Sequence, residues 1–156
     1  MTVLRFDPGH RSTREAEHWL ADLPPVPGLV ACTHLVHDDR PRVAVTVATA
    51  TRTVLPGFPD GVEATDQDGG RAVVYPGVEL LTGTMTVADL LAKSAIDRVR
   101  VIGGPQPSGE TLVDTRDFVR PQWMEGTLTL VATPAADGRI APFEVPNPTP
   151  CCADHG

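Results

Sequence analysis

The sequence predicts an α+β domain in which a mainly antiparallel sheet, or a partly closed barrel, is covered by one or two helices. Two pairs of apolar, strand-like segments are each joined by a short turn, which is typical of β-hairpins. Two other segments begin with the side-chain pattern of a helix N-terminus. The chain also has 16 prolines and 14 glycines, which favour many short elements over long helices.

The clearest hairpin pairs residues 29–36 with residues 42–49 across a polar turn. In the second segment Val43, Val45 and Val47 lie at every other position, so they share one face of a strand. This alternation predicts a strand that is buried on one face only.

A second hairpin is predicted near the C-terminus, where residues 127–132 pair with residues 139–145. Because a hairpin joins neighbouring strands, antiparallel pairing is expected to dominate the sheet. Shorter strands are expected elsewhere, over residues 3–6, 71–75, 78–81, 98–102 and 111–119.

Two helices are predicted from their first residues. Ser12 and Glu15 form a capping box, and apolar residues at helical spacing follow them until a Pro-Pro pair ends the pattern. Thr86 and Asp89 form a second capping box, and the helix that they open is expected to end near Ile96.

The length of 156 residues is that of one domain. We expect residues 1–145 to form a single globular domain and residues 146–156 to form a proline-rich C-terminal tail. Alternate prolines hold such a tail extended and outside the interior of any sheet.

The charge and cysteine content exclude several classes of protein. A formal net charge of −7 argues against binding to nucleic acid or to an anionic membrane, because both require clustered basic residues. No apolar run reaches the ~18 residues that a membrane span needs, and the first residues do not resemble a signal peptide. Three cysteines, two of them adjacent, do not fit a disulfide framework, so we expect a cytoplasmic protein.

The tail carries the most unusual chemistry. Cys151 and Cys152 are adjacent, and His155 follows three positions later. Thiolates and imidazole bind soft cations, so the pattern predicts a site for Zn or Cu(I), or a thiol that reacts with a partner protein. Ordinary free thiols and a strained, reversible vicinal disulfide are the two other interpretations. The first functional hypothesis is therefore a binding or accessory protein without catalytic activity.

The adjacent cysteines are similar to the C-terminal tails of mercuric reductases, which pass mercury to a buried site. The similarity covers only the last few residues, and the flavoprotein that accompanies those tails is absent. It implies thiolate chemistry toward a soft metal and no membership of that family.

A second group of candidate metal ligands lies in the first hairpin. Cys32 and His34 are two positions apart, so they share one face of the strand, and His37 follows in the turn. Together with the tail, these residues would collect all three cysteines and three of the five histidines. The alternative is a buried core cysteine, a hydrogen-bonded histidine and a solvated turn.

The same turn supports a second hypothesis, a small enzyme. His34 or His37 beside Asp38 or Asp39 has the composition of an oriented general base. No serine lies in a nucleophile elbow and no glycine-rich loop carries a Walker lysine, so a serine hydrolase and a P-loop enzyme are disfavoured.

The third hypothesis is a structural or interaction domain that forms a homodimer through exposed strand edges. A charged stretch over residues 114–125 is a further candidate for a pocket wall or a subunit contact, and the alternative is a solvated segment. It contains Arg120 and a half-buried Trp123, and Phe118 and Val119 are expected to anchor it.

Overall fold

A computed structural model of the chain describes residues 2–22, 26, 28–49, 62–64 and 69–146. These residues form two α-helices and eleven β-strands, and the strands join in one mixed sheet. The helices are α1 (Thr13–Ala21) and α2 (Val87–Lys93). The strands are β1 (Thr2–His10), β2 (Val30–Val36), β3 (Arg42–Thr49), β4 (Val62–Ala64), β5 (Arg71–Val74), β6 (Thr84–Thr86), β7 (Arg98–Val101), β8 (Leu112–Asp114), β9 (Gln122–Met124), β10 (Thr127–Pro134) and β11 (Ile140–Pro142).

Both helices begin where the sequence predicts. The Ser12 side chain accepts a hydrogen bond from the backbone N–H of Glu15 at 3.1 Å, and Thr86 accepts one from Asp89 at 3.1 Å. Helix α2 ends at Lys93, earlier than expected. With nine and seven residues, the helices fall far short of the ~20 residues that cross a bilayer, and no described helix has the length and apolar content to do so.

The first hairpin forms as predicted, with β2 and β3 antiparallel in continuous register. Strand β1 pairs with the other edge of β3, and β4 pairs with β1. Helix α1 packs on this part of the sheet through Ala16 and Leu20, which join Val43, Val45 and Val47 in one apolar cluster.

Strand β3 is buried on both faces, so the prediction of one exposed face is wrong. Ala44, Thr46 and Ala48 lie opposite the valines, and each is at most 2% exposed. Cys32 pairs with Thr46 across the strands and belongs to a second apolar cluster, formed by α2 and the C-terminal strands. Small side chains on this face permit close packing on that side as well.

Strand β10 organises the C-terminal half of the sheet. It pairs with β7 along one edge and with β9 and then β11 along the other. Strand β5 joins the two halves because it pairs with both β2 and β9. Two pairs are parallel, β7 with β10 and β8 with β11, and the others are antiparallel. The predicted α+β, mainly antiparallel class is confirmed, and the sheet is open from β4 to β6 in the described residues.

Two short segments differ from the prediction. The strand expected over residues 78–81 is instead a 3₁₀ turn, Val78–Leu80, because Gly77 adopts a left-handed φ of 87° and redirects the chain. Strand β9 forms within the charged stretch, where the composition gave no strand signal. Trp123 in this strand is half-buried, as expected.

Gly77→Ala tests this turn against a matched control. A Cβ at residue 77 would lie 1.9 Å from the carbonyl oxygen of Lys93, whereas a Cβ at Gly83 would meet nothing within 4 Å. Both glycines have a positive φ, so Gly83→Ala should lower the unfolding free energy by about 1 kcal/mol through the backbone alone. We expect Gly77→Ala to lose roughly 2 kcal/mol more in urea unfolding, because α2 has to move. Equal losses would contradict the close approach of residue 77 to α2.

Candidate functional site

Cys32 and His34 are the predicted metal ligands that the structure describes. Cys151, Cys152 and His155 lie outside the described residues. Within the described ranges, no three His, Cys, Asp or Glu side chains are grouped so that they could hold a metal ion. A metal site with three such ligands therefore needs at least one residue from outside those ranges.

Cys32 and His34 share one face of β2, and both approach Thr46. Cys32 is fully buried, and this burial raises the pKa of its thiol to about 12, against the smaller opposite effect of a hydrogen bond with Thr46. His34 is half-buried, and its Nε2 lies 2.6 Å from Thr46 Oγ1. The Cys32 thiol is therefore protonated at neutral pH, which does not suit a metal ligand or a nucleophile.

The Asp38 carboxylate in the hairpin turn is paired with Arg42. Arg42 Nη1 donates to both Asp38 oxygens at 2.8 Å, and the backbone N–H of Arg40 donates at 2.9 Å. The hydrogen bond from Arg42, followed by that from Arg40, holds the pKa of Asp38 below its usual value. Arg42 also contacts Asp7 on β1 at 2.7 Å, so this arginine ties the turn to the neighbouring strand.

The predicted partners in general base chemistry line different surfaces. An open surface cleft of about 550 Å³ is lined by Asp7, Pro8, Gly9, Asp38, Asp39, Arg40 and Arg42. His37 instead lines a neighbouring hollow with Leu35 and Pro41. Within the described part of the chain, no hydrogen bond joins His37 to a carboxylate. The described residues therefore provide no carboxylate that orients the His37 imidazole.

Four charged side chains form a chain of contacts between α1 and the C-terminal strands, and we call them the Arg71 network. Glu17 lies on α1, Arg71 begins β5, Arg120 precedes β9, and Glu144 follows β11. Only Arg120 was singled out from the sequence. The bonded pairs are 54, 73 and 103 positions apart, so no local spacing signals them.

Glu17 binds both arginines of the network. Its Oε2 accepts a hydrogen bond from Arg71 Nη1 at 2.5 Å, and its Oε1 accepts one from Arg120 Nη2 at 2.8 Å. The other edge of Arg71 holds Glu144: Nε donates to the two oxygens at 2.6 and 2.8 Å, and Nη2 also donates to Oε2. Positive and negative groups therefore alternate along the network, and their formal charges cancel.

Phe118 lies against both guanidinium groups, so the predicted anchor of the charged stretch belongs to this site. The guanidinium carbon of Arg120 is 4.2 Å from the ring centroid, and that of Arg71 is 5.9 Å away. Both distances are within the range of a cation–π contact. Glu17 is 18% exposed and Arg71 17%, whereas Glu144 is 35% exposed. Glu144 is therefore more accessible to water than either of them.

The arginines keep the partly buried carboxylate of Glu17 ionised. Burial by itself would raise the pKa of Glu17, but the hydrogen bond and charge of Arg120, and then those of Arg71, lower it overall. Burial likewise opposes the charge on Arg71, and Glu144 and Glu17 outweigh it and raise the pKa of Arg71. Both groups are therefore charged at neutral pH.

A cleft of about 380 Å³ opens beside the network, and we call it the Arg71 cleft. Its walls are lined by Ser12, Thr13, Arg14, Glu17, Arg71, Phe118, Glu144, Val145 and Pro146. Arg14 is exposed and makes no ion pair within the described ranges. The charged residues that line the cleft are Arg14, Arg71, Glu17 and Glu144, so their formal charges cancel while Glu144 is bound to Arg71.

No family model, no curated protein and no solved structure matches this chain. Its function is therefore inferred from its own residues.

Glu17→Gln removes the carboxylate that both arginines share. We expect a loss of roughly 1–3 kcal/mol in unfolding free energy at pH 7, because Arg71 and Arg120 stay partly buried with weaker partners. Glu110→Gln makes the same change of charge at an exposed loop position and should stay within ~0.5 kcal/mol of wild type.

The loss of unfolding free energy in Glu17→Gln should become smaller as the pH falls. The folded pKa of Glu17 lies below its ordinary value of 4.5, so its stabilisation is complete above pH 4.5 and is lost as the pH falls through the folded pKa. The gap between wild type and Glu17→Gln in urea unfolding should therefore narrow in acid. A gap of constant size from neutral to acid pH would show that the charge of Glu17 does not stabilise the fold.

Thiol reactivity tests the burial of Cys32. In Cys151→Ser/Cys152→Ser only Cys32 remains, and a thiol with a pKa of about 12 presents almost no thiolate at pH 8. The folded variant should not react with an aromatic disulfide reagent, and it should react fully after unfolding in guanidinium chloride. Rapid, stoichiometric reaction of the folded protein is the result that would refute this.

Proposed function

We propose that this protein is a small binding or accessory domain without catalytic activity, whose C-terminal segment binds a soft metal or reacts with a partner thiol. The observation that carries the proposal is the ligand set Cys151, Cys152 and His155 in one short segment. Two thiolates and one imidazole are ligands that Zn(II) and Cu(I) favour.

The burial of Cys32 supports the assignment of Cys151 and Cys152, rather than Cys32, as the thiolate ligands. Its thiol is buried in the second apolar cluster and protonated at neutral pH. A soft cation binds thiolate, so the cost of uncovering and deprotonating Cys32 disfavours it as a ligand. The proposed thiolate ligands are therefore Cys151 and Cys152, and His34 is left to its contact with Thr46.

The Arg71 network supports a tethered site. Glu144 is bound to Arg71 only two residues before Pro146, where the described chain ends. Cys151 follows Glu144 by seven residues, which span at most roughly 25 Å at ~3.3–3.6 Å each. The two thiols are therefore confined to the neighbourhood of the domain, and they can meet a partner that docks there.

Three protein ligands leave one position of a tetrahedral metal open. Structural zinc sites are closed by four protein ligands, whereas an open position admits water, substrate or a ligand from a partner. A two-thiolate, one-imidazole site is therefore better suited to exchange of the metal with a second protein than to holding the fold together.

The two other hypotheses stay predictions. A small enzyme based on His34, His37 and Asp38 has less support, because the Asp38 carboxylate is held by Arg42. A homodimer through sheet edges also has less support at β7, where the Gln106 side chain bonds to the backbone N and O of Val101 at 3.1 and 2.9 Å. An edge occupied in this way is blocked at that residue for pairing with another chain.

Metal titration of the reduced protein tests the proposal. Wild type, Cys151→Ser/Cys152→Ser and Cys32→Ser are titrated with Zn(II), and with Cu(I) without oxygen, against a chromophoric competing chelator. We expect the double variant to lose roughly 100-fold or more in affinity, because two of the three ligands are gone. Cys32→Ser should bind as wild type does. Equal affinity of wild type and the double variant for both metals would refute a metal site in the tail.

A further inference from the structure

Residues 143–146, which follow β11 and end the described chain, contact the Arg71 cleft chiefly through the carboxylate of Glu144. Phe143 is 63% exposed and Val145 47% exposed, so the residues on either side of Glu144 are not anchored in the core. The backbone N–H of Phe143 donates to the carbonyl of Val131 at 2.9 Å, which ends the pairing with β10. Beyond that bond, the hydrogen bonds and ion pairs of the described residues 144–146 are those between Glu144 and Arg71.

The guanidinium of Arg71 is already oriented to bind a carboxylate. Its Nη1 is fixed by Glu17, which Arg120 holds from the other side. The opposite edge, with Nε and Nη2, faces the carboxylate of Glu144 with two parallel donors. A guanidinium that is already oriented and partly buried recognises carboxylates strongly, because little side-chain entropy is lost on binding.

The wall of the cleft offers a second positive group. Arg14 lines the same cleft and makes no ion pair within the described ranges. The hydroxyl-bearing residues Ser12 and Thr13 lie beside it, where α1 begins. A volume of about 380 Å³ is at the small end of the range for ligand sites. Glu17 also lines the cleft, but it is bound by both arginines of the network. When Glu144 leaves, Arg14 and one edge of Arg71 are therefore two cationic groups that match a ligand with two acidic groups.

We propose that the Arg71 cleft binds a small dicarboxylate. In the absence of that ligand, Glu144 of the same chain occupies the carboxylate-binding edge of Arg71, and the ligand displaces it. One carboxylate takes the place of Glu144 on Arg71, and the second interacts with Arg14. The net charge around Arg71 does not change in this exchange, because one carboxylate replaces another. The proposal is independent of metal binding by the tail, since it rests on residues of α1, β5 and the segment after β11.

Calorimetric titration with succinate tests the proposal, with the uncharged succinamide as a matched ligand. The proteins are wild type, Glu144→Gln and the control Glu110→Gln, which makes the same change of charge outside the cleft. If Glu144 is detached from Arg71 about a tenth of the time in wild type, Glu144→Gln should bind succinate about tenfold more tightly. Glu110→Gln should bind as wild type does, and succinamide should bind none of the three.

Arginine side-chain resonances locate the ligand. The Nε–H signal of Arg71 should shift on addition of succinate, and it should shift in the absence of ligand in Glu144→Gln. Arg14→Ala, at an exposed position of α1, should weaken the binding of succinate more than that of the monocarboxylate propionate. Either unchanged succinate affinity in Glu144→Gln, or equal losses for both ligands in Arg14→Ala, would overturn the proposal. Binding of inorganic phosphate as tightly as succinate would overturn the assignment to dicarboxylates.

Discussion

The carboxylate of Glu17 is the interaction on which the arrangement of the domain depends. It lies on a helix that belongs to the first apolar cluster, and it binds Arg71 and Arg120 in segments that flank the second. Removing these charges from water is costly, and their attraction offsets that cost only when every partner is present. We therefore expect the network to contribute chiefly to the choice of one relative placement of α1, β5 and the segment before β9.

The rest of the core is mainly aliphatic, with Phe6 and Tyr75 as its buried aromatic side chains in the described residues, in keeping with an aromatic content of only 4%. Two polar groups that enter it are satisfied by backbone carbonyls: Thr115 Oγ1 donates to the carbonyl of Gly83 at 2.6 Å, and the buried Tyr75 hydroxyl donates to the carbonyl of Val119 at 2.8 Å. Such hydrogen bonds remove the penalty for burying an oxygen, and they position the chain that follows β8. The segment from 115 to 120 is fixed in this way, and it carries Phe118 and Arg120 into the network.

Much of the fold could be predicted because its signals are local. Ser12 with Glu15 and Thr86 with Asp89 mark helix starts within four residues, and hairpins pair segments that are adjacent in the chain. The parallel pairing of β7 with β10 and the strand at Gln122–Met124 have no such signal, because they depend on distant partners. The candidate functional residues likewise include some that the sequence predicts and some that only the fold reveals. The cysteine pattern of the tail is visible in the sequence, whereas Glu17, Arg71 and Glu144 acquire their meaning only when the fold brings them together.

Glu144 connects the two proposed sites through the chain itself. While it is bound to Arg71, the segment that leads to Cys151 begins from a fixed point beside α1. When a free carboxylate takes its place, that point of attachment moves back toward Phe143 and its bond to Val131. A metal held by the tail together with a group on the domain would then be bound differently in the two states. Thermodynamic linkage requires any such effect to be reciprocal, so a metal that favours the attached state must weaken the carboxylate by the same factor. A metal held by the tail alone is indifferent to the attachment, and the two ligands then bind independently.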